Sequence, residues 1–368
     1  MTSRLKIVSA AALILCCWVA FSVRAQSPRG ITPEDYFSFE FASDPNLSPD
    51  GKLVAYVLTK IDRAQNRRNS SIWMIATDGS RAPWQFTTSP QSSNSPRWSP
   101  DGKSLAFLSS RPAENTPAAG AASPPAEQPR NQVYLLSMNG GEARRITNLK
   151  NGVSLFRWSP DGTRLVVVSR IGPSDTSLQV DTRAGSDVRH YKHISYKFND
   201  TGWFDDRRTH LWVINVKSGE ARPITHGNDW NDSDPQWSPD GKRIAFVSNR
   251  TGKEYDENRN TDVWVINVDD SEKLTKISDH DEADNQPRWS PDGKWIAFTG
   301  ELHDRDHPKI WLAPSAGGAP STLAANGLDL IPGQLEWSDD GKSIYFETGV
   351  KGENHLFRVD VPTKSIAK

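Results

Sequence analysis

Apolar and polar residues alternate in short bursts along most of the chain, and the bursts recur as near-copies of one phrase. RWSPDGKWIAF stands at 288–298, with close copies at 97–107 (RWSPDGKSLAF), 157–167 (RWSPDGTRLVV) and 236–246 (QWSPDGKRIAF). Looser copies open at 47 (LSPDGKLVAY) and 336 (EWSDDGKSIYF). The phrase has a mechanical reading. Trp-Ser ends a short strand, Pro-Asp fills the centre of a tight turn, and Gly follows where a positive φ is needed. An alternating β-rich run then leaves the turn.

A second such run follows each copy: SIWMIAT (71–77), QVYLLSM (132–138), HLWVINV (210–216), DVWVINV (262–268), KIWLAP (309–314) and HLFRVDV (355–361). Most units close with a short fourth run, such as RRITN (144–148) or RPITH (222–226). Four strands joined by tight turns, repeated at intervals of roughly fifty to eighty residues, predict an all-β chain folded as a β-propeller of four-stranded blades. The blades start near 47, 97, 157, 236, 288 and 336, so the propeller occupies 47–368, with 26–46 leading into it. Helical spacing of apolar residues is nearly absent, which argues against helical solenoids. The aromatics of the third strands (Trp73, Tyr134, Trp212, Trp264, Trp311, Phe357) and the tryptophans before the turns (Trp98, Trp158, Trp237, Trp289, Trp337) are expected to pack blade against blade.

The sixth unit has no obvious fourth strand unless KSIAK, at 364–368, is a stub of one. Because a propeller protects its edges by closure, two readings stay open. Residues 30–46 supply a closing strand, or the chain is a truncated piece of something longer and the propeller is incomplete.

Strand alternation sorts the connections. The SPDG turns fall on one face, and the irregular segments on the other. Among the latter, 112–130 is rich in Pro and Ala and reads as an extended loop, within an insertion series that also includes 171–209. Inside the second insertion, RHYKHISYKFNDTGWFDDRR (189–208) predicts an extra hairpin. Residues 250–261 read as a solvated polar loop.

Composition narrows the function classes. Charge is near balance, with 44 Lys and Arg against 45 Asp and Glu, so there is no basic footprint for nucleic acid. A short basic start, the apolar run IVSAAALILCCWVAFSV and a small residue at Ala25 form a secretory signal pattern over 1–25. Both cysteines, Cys16 and Cys17, lie within it. The expected mature chain is exported, periplasmic or secreted, free of cysteine chemistry and not membrane-bound after cleavage.

Candidate chemistry is sparse. His280, Asp281, His303, Asp304, Asp306 and His307 share the loop face, and His with carboxylate suits a divalent metal, but the spacing matches no tight ligand motif. No G-x-S-x-G elbow, phosphate loop or dinucleotide glycine pattern occurs, and no cofactor is implied.

The repeated WSPDGKxIAF phrase resembles the WD40-like repeat of TolB-type propellers and of the prolyl oligopeptidase (S9) family. ITPEDYFSFEFASDPNLSPDGKLVAYV (31–57) and YKFNDTGWFDDRRTHLWVINVKSGE (196–220) resemble the entry segment and a blade-three insert of the acylaminoacyl-peptidase and dipeptidyl-peptidase subgroup. The resemblance implies a propeller of about seven blades that caps a C-terminal α/β-hydrolase domain and restricts the site to short peptides. No hydrolase region follows the repeats here, so no catalytic residue transfers, and the expected role is substrate gating without catalysis. Within that reading, Tyr196, Phe198, Trp203, Arg207 and Arg208 are candidates for the substrate entrance, set against a purely structural role in tying the insert to its blade. The alternative is a free-standing periplasmic TolB-like propeller acting as an interaction scaffold.

Overall fold

The computed structural model describes residues 29–88, 90–112, 130–175, 197–198, 202–203, 207–250, 260–303, 307–323 and 331–368. The expected signal segment 1–25 and nearly all of the loop 112–130 lie outside them. The repeats form six four-stranded antiparallel sheets, the blades of a propeller, each built from consecutive strands of its own repeat. Blade 1 holds Glu40–Leu47, Leu53–Asp62, Arg67–Ala76 and Trp84–Gln85. Blade 2 holds Ser93–Trp98, Ser104–Ser109, Gln132–Ser137 and Arg144–Arg145. Blade 3 holds Leu155–Trp158, Arg164–Ile171, Arg208–Asn215 and Ala221–Pro223. Blade 4 holds Asp232–Trp237, Arg243–Ser248, Asp262–Asn267 and Leu274–Lys276. Blade 5 holds Asp284–Trp289, Trp295–Gly300, Lys309–Pro314 and Ser321–Thr322. Blade 6 holds Leu335–Trp337, Ser343–Val350, Glu353–Asp360 and Ile366–Ala367.

Two expectations about the ends are settled by this pairing. Glu40–Leu47 is the first strand of blade 1, not a strand that completes blade 6. The KSIAK stub does supply a fourth strand, pairing Arg358 with Ala367 and Val359 with Ile366. The blade-3 insert also contains the expected hairpin, Lys197–Phe198 against Gly202–Trp203.

The chain divides into two compact units. The smaller comprises 1–41 with 60–68. In it Arg29 grips the Asp35 carboxylate through two nitrogens at 2.5 and 2.7 Å, and the Thr32 backbone N–H donates to the same group at 2.7 Å. These bonds, Arg29 foremost, lower the Asp35 pKa to about 2. Tyr36, Phe37, Phe39 and Phe41 lie edge-on to one another at 5.9–6.5 Å.

The larger unit, 42–59 with 69–368, shows what the repeated phrase does. In every turn the serine hydroxyl donates to the aspartate two residues on, at 2.5–2.7 Å. The backbone N–H five residues on donates to that same hydroxyl, as from Ser104 to Ser99 at 3.0 Å. The glycine takes φ near +70°, where a side chain is disfavoured.

The tryptophan before the turn reaches the preceding blade. Its indole N–H donates to a backbone carbonyl there: Trp98 to Asn46 (2.9 Å), Trp158 to Arg97 (3.2 Å), Trp237 to Arg157 (3.3 Å), Trp289 to Gln236 (3.0 Å) and Trp337 to Arg288 (3.1 Å). One apolar cluster fills each seam. Trp237, for example, is buried with Val166, Val168 and Leu211 of blade 3 and Ile244 and Phe246 of its own blade. The third-strand aromatics join these clusters except Trp73, which lies outside the five clusters of the described residues.

Candidate functional site

The residue before each tryptophan belongs to the same strand. Strand alternation turns it to the opposite side, toward the hub, where the first strands of successive blades approach one another. In blades 1 to 6 this residue is Asn46, Arg97, Arg157, Gln236, Arg288 and Glu336.

A second feature sits just upstream. Blades 1, 2, 4 and 5 read Asp44-Pro45, Ser95-Pro96, Asp234-Pro235 and Gln286-Pro287 ahead of the hub residue. Each residue before the proline has a positive φ, between 42° and 56°, and the register of blades 2, 4 and 5 slips at this point. These are β-bulges. Proline has no N–H to give to a ladder and is tolerated at such a break, and the bulge re-aims the neighbouring side chain. A non-glycine residue in this region stores strain of about 1–3 kcal/mol, a cost met most often at functional sites. Blades 3 and 6 have Phe156 and Leu335 in place of the proline, and their registers run unbroken.

The bulges and hub residues form a charged constellation. Arg97 donates to both oxygens of Asp44 (2.9 and 3.0 Å) and to the Pro96 carbonyl (2.7 Å). Arg288 donates to the Pro287 carbonyl (2.8 Å) and reaches Asp234 at 3.4 Å. Asp234 also accepts from Gln236 at 2.9 Å. Arg157 comes only within 3.9 Å of Asp234, too far for a hydrogen bond, and its Nε is buried with no partner. Burial pulls the Arg157 pKa down, Arg97 and Arg288 add to that, and Asp234 and Glu336 oppose it. Charges from four other blades acting on one guanidinium locate Arg157 at the hub.

A buried polar layer underlies the long-loop face. His210 and Asp232 have fully buried side chains 2.9 Å apart, the second His210 nitrogen faces the Gly227 carbonyl at 2.8 Å, and Arg250 donates to Asp232 at 2.8 Å. In blade 5, His280 meets Asp284 at 2.7 Å and lies 4.2 Å from the Trp311 ring. A Cβ on Gly300 would lie 2.0 Å from an Asp284 oxygen, so only glycine fits there. Asp262, fully buried beside Lys276 at 3.2 Å, is pushed up to about 6, chiefly by burial. Of the segment 250–261 only the ends are described: Arg250 anchors Asp232, and Asn260 is buried and donates to the His280 carbonyl at 2.8 Å.

Among the described residues the sequence-derived candidates are not brought together. Tyr196, Asp304 and Asp306 lie outside the described residues. Phe198 and Trp203 stand on the paired strands of the small hairpin. Arg207 binds Asp175 at 3.0 Å, and Arg208 is buried at the start of a blade-3 strand. His280 is engaged by Asp284, whereas Asp281, His303 and His307 are exposed. Among the described residues no group of three His, Cys, Asp or Glu is placed to hold a metal. What the sequence reading missed is the hub, although its signal was visible: a proline two residues before the tryptophan in three of the five Trp-bearing copies, and a changing residue just before the tryptophan.

Comparison with known proteins places this geometry. A family model, TolB beta propeller domain, matches residues 204–368. The chain is 33% identical over 242 residues to the uncharacterized peptidase YuxL of Bacillus subtilis, covering 64% of this chain and 34% of that protein. It is 25% identical over 389 residues to dipeptidyl-peptidase 5 of Porphyromonas gingivalis, covering 100% of this chain and 53% of that protein. The chain thus spans about half or less of the length of these relatives. Among solved structures, an acylaminoacyl peptidase of Pyrococcus horikoshii superposes with a TM-score of 0.65 at 20% identity, over 90% of this chain and 46% of that one, a likeness of fold. Six four-stranded blades make the fold a β-propeller, similar over residues 204–368 to the TolB beta propeller domain and over the whole chain to about half of dipeptidyl-peptidase 5.

Proposed function

We propose that this propeller gates the access of short peptides to a serine peptidase site of the S9 type, carried by an α/β-hydrolase domain, in an exported enzyme. The observation that carries the reading is the alignment of the whole chain with about half of a dipeptidyl-peptidase. The charged hub supports it. A hub lined by arginines, carboxylates and amides suits an extended peptide, whose backbone amides and termini need polar partners once out of water. The insert residues Tyr196, Phe198, Trp203, Arg207 and Arg208 remain part of this proposal as the rim of the entrance, and the segment 1–25 supports export.

The purified chain is expected to bind short peptides, to ignore folded proteins and to turn over no dipeptidyl or acylaminoacyl chromogenic substrate. Turnover above background that persists after removal of contaminating host peptidases would overturn the non-catalytic part. Equal binding of a folded protein would overturn the gating part.

A further inference from the structure

We propose that the hub around Arg157 is a receptor for one carboxylate group, presented by a short peptide. The charged groups of the hub are unequally paired. Arg97 has Asp44 at 2.9–3.0 Å. Asp234 is taken by Gln236 through one oxygen and by Arg288 through the other. The Arg157 side chain, between them, donates no hydrogen bond among the described residues, and its Nε–H is buried without an acceptor. Native proteins leave few buried donors unmade, and an orphan of this kind marks a place where a partner belongs.

The geometry of guanidinium fixes the partner's class. Its N–H groups lie in one plane, in pairs that match the two oxygens of a carboxylate. A phosphate dianion fits less well, because Asp234 and Glu336 both act on Arg157 and would repel the second charge. A second unmet group points the same way: Oε1 of Gln286, on the blade-5 bulge, is buried without a partner and is an acceptor for a peptide N–H. The strained bulges at Asp44, Ser95, Asp234 and Gln286 hold this arrangement on strand backbones rather than on loops.

That the carboxylate arrives on a peptide rests on the gating reading; the carboxylate receptor itself does not. Calorimetric titration of the full chain at low salt tests it, with Ala-Ala-Ala, its C-terminal amide, Ala-Glu-Ala-amide and inorganic phosphate as probes. The free acid should bind at least about tenfold tighter than the amide. Ala-Glu-Ala-amide matching the free acid would assign the site to acidic side chains as well as C-termini, within the same proposal. Arg157→Gln should bring the free acid down to the level of the amide, and Arg157→Lys, which keeps the charge but loses the fork, should weaken it several-fold. Equal binding of acid and amide by the wild-type chain overturns the proposal whether or not any variant folds. So does a preference for the free acid that survives Arg157→Gln, or phosphate binding tighter than the peptide acid. No hydrolysis is measured, so failure of the gating reading leaves this result readable, and the reverse holds.

Discussion

The seams between blades and the hub at their centre are built by neighbouring residues of the same strands, and they follow opposite rules. At the seams the residue is constant: five tryptophans, each donating to the preceding blade's carbonyl and set in an apolar cluster. At the hub the residue changes from blade to blade, through Asn46, Arg97, Arg157, Gln236, Arg288 and Glu336. The seam buries apolar surface and meets its single N–H. The hub keeps charge, strained backbone and an unmet donor. Constancy in the repeat therefore marks architecture, and variation within the same repeat marks the surface proposed to meet a ligand.

The comparison breaks most visibly at a seam. Trp237→Ala removes a side chain only 8% exposed and its bond to Arg157. The expected cost is about 3–5 kcal/mol, the usual range for a buried aromatic cut to alanine, read as a lowered denaturation midpoint. A cost below about 1 kcal/mol would mean that the seams are not the main source of stability.

A pH effect comes next. Burial raises the folded-state pKa of Asp262 to about 6, above its ordinary value, so the folded protein holds the proton more tightly than the unfolded chain. The stability this contributes is fully present below about pH 4 and is lost as pH rises toward 6, because ionisation then favours the unfolded state. Lys276 pairs with Asp262, and Asp284 and Asp279 oppose its ionisation. Asp262→Asn should flatten the pH profile between 4 and 6 and raise stability at pH 7 by roughly 1–3 kcal/mol. An unchanged slope would show that Lys276 fully compensates the burial.

The hub should respond least among the charged sites. The Arg157 side chain makes no hydrogen bond to be lost among the described residues, and removing a desolvated charge offsets the lost packing of its stem. Arg157→Gln is expected to shift stability by less than about 1 kcal/mol, although the residue adjoins Trp158 and offers its carbonyl to Trp237. A large loss would make Arg157 a structural member of the seam.

The blades, the turn chemistry and the tryptophan slots were legible in the sequence because each depends on local pattern: Pro-Asp-Gly for the turn, alternation for the strands, and one aromatic at a fixed offset. The hub was not, because it arises only when first strands from different repeats converge. Asp44 and Arg97 are far apart in the chain, and nothing local announces their pairing. The single sign was Pro45, Pro96, Pro235 and Pro287, each two residues before the seam position, which reads as turn chemistry until the strand around it is seen to bulge. The histidines of the loop face carry no such local signal: a shared face grouped His280 with His303 and His307, whereas packing sets His280 against Asp284 and Trp311.

The smallest expected effect tests whether the seam rule reaches the first blade. Leu47 occupies the tryptophan slot there, yet is 58% exposed. In the five later turns a Cβ built on the glycine would lie 3.4–3.7 Å from the proline ring of the preceding blade's turn, whereas at Gly51 nothing lies within 4 Å. Blade 6 correspondingly carries Asp339 where the other turns have proline, and Leu356, on its third strand, is 59% exposed. Seam residues thus stand where a blade precedes, and polar or smaller residues stand where the described residues offer none. Leu47→Ser should therefore change stability by no more than about 0.5 kcal/mol, as for an ordinary surface substitution. Leu47→Trp should gain nothing, since its indole N–H would meet water rather than a carbonyl. If Leu47→Ser instead costs as much as Trp237→Ala, the first blade has a packed neighbour in solution, and the seam rule extends around the whole set of blades.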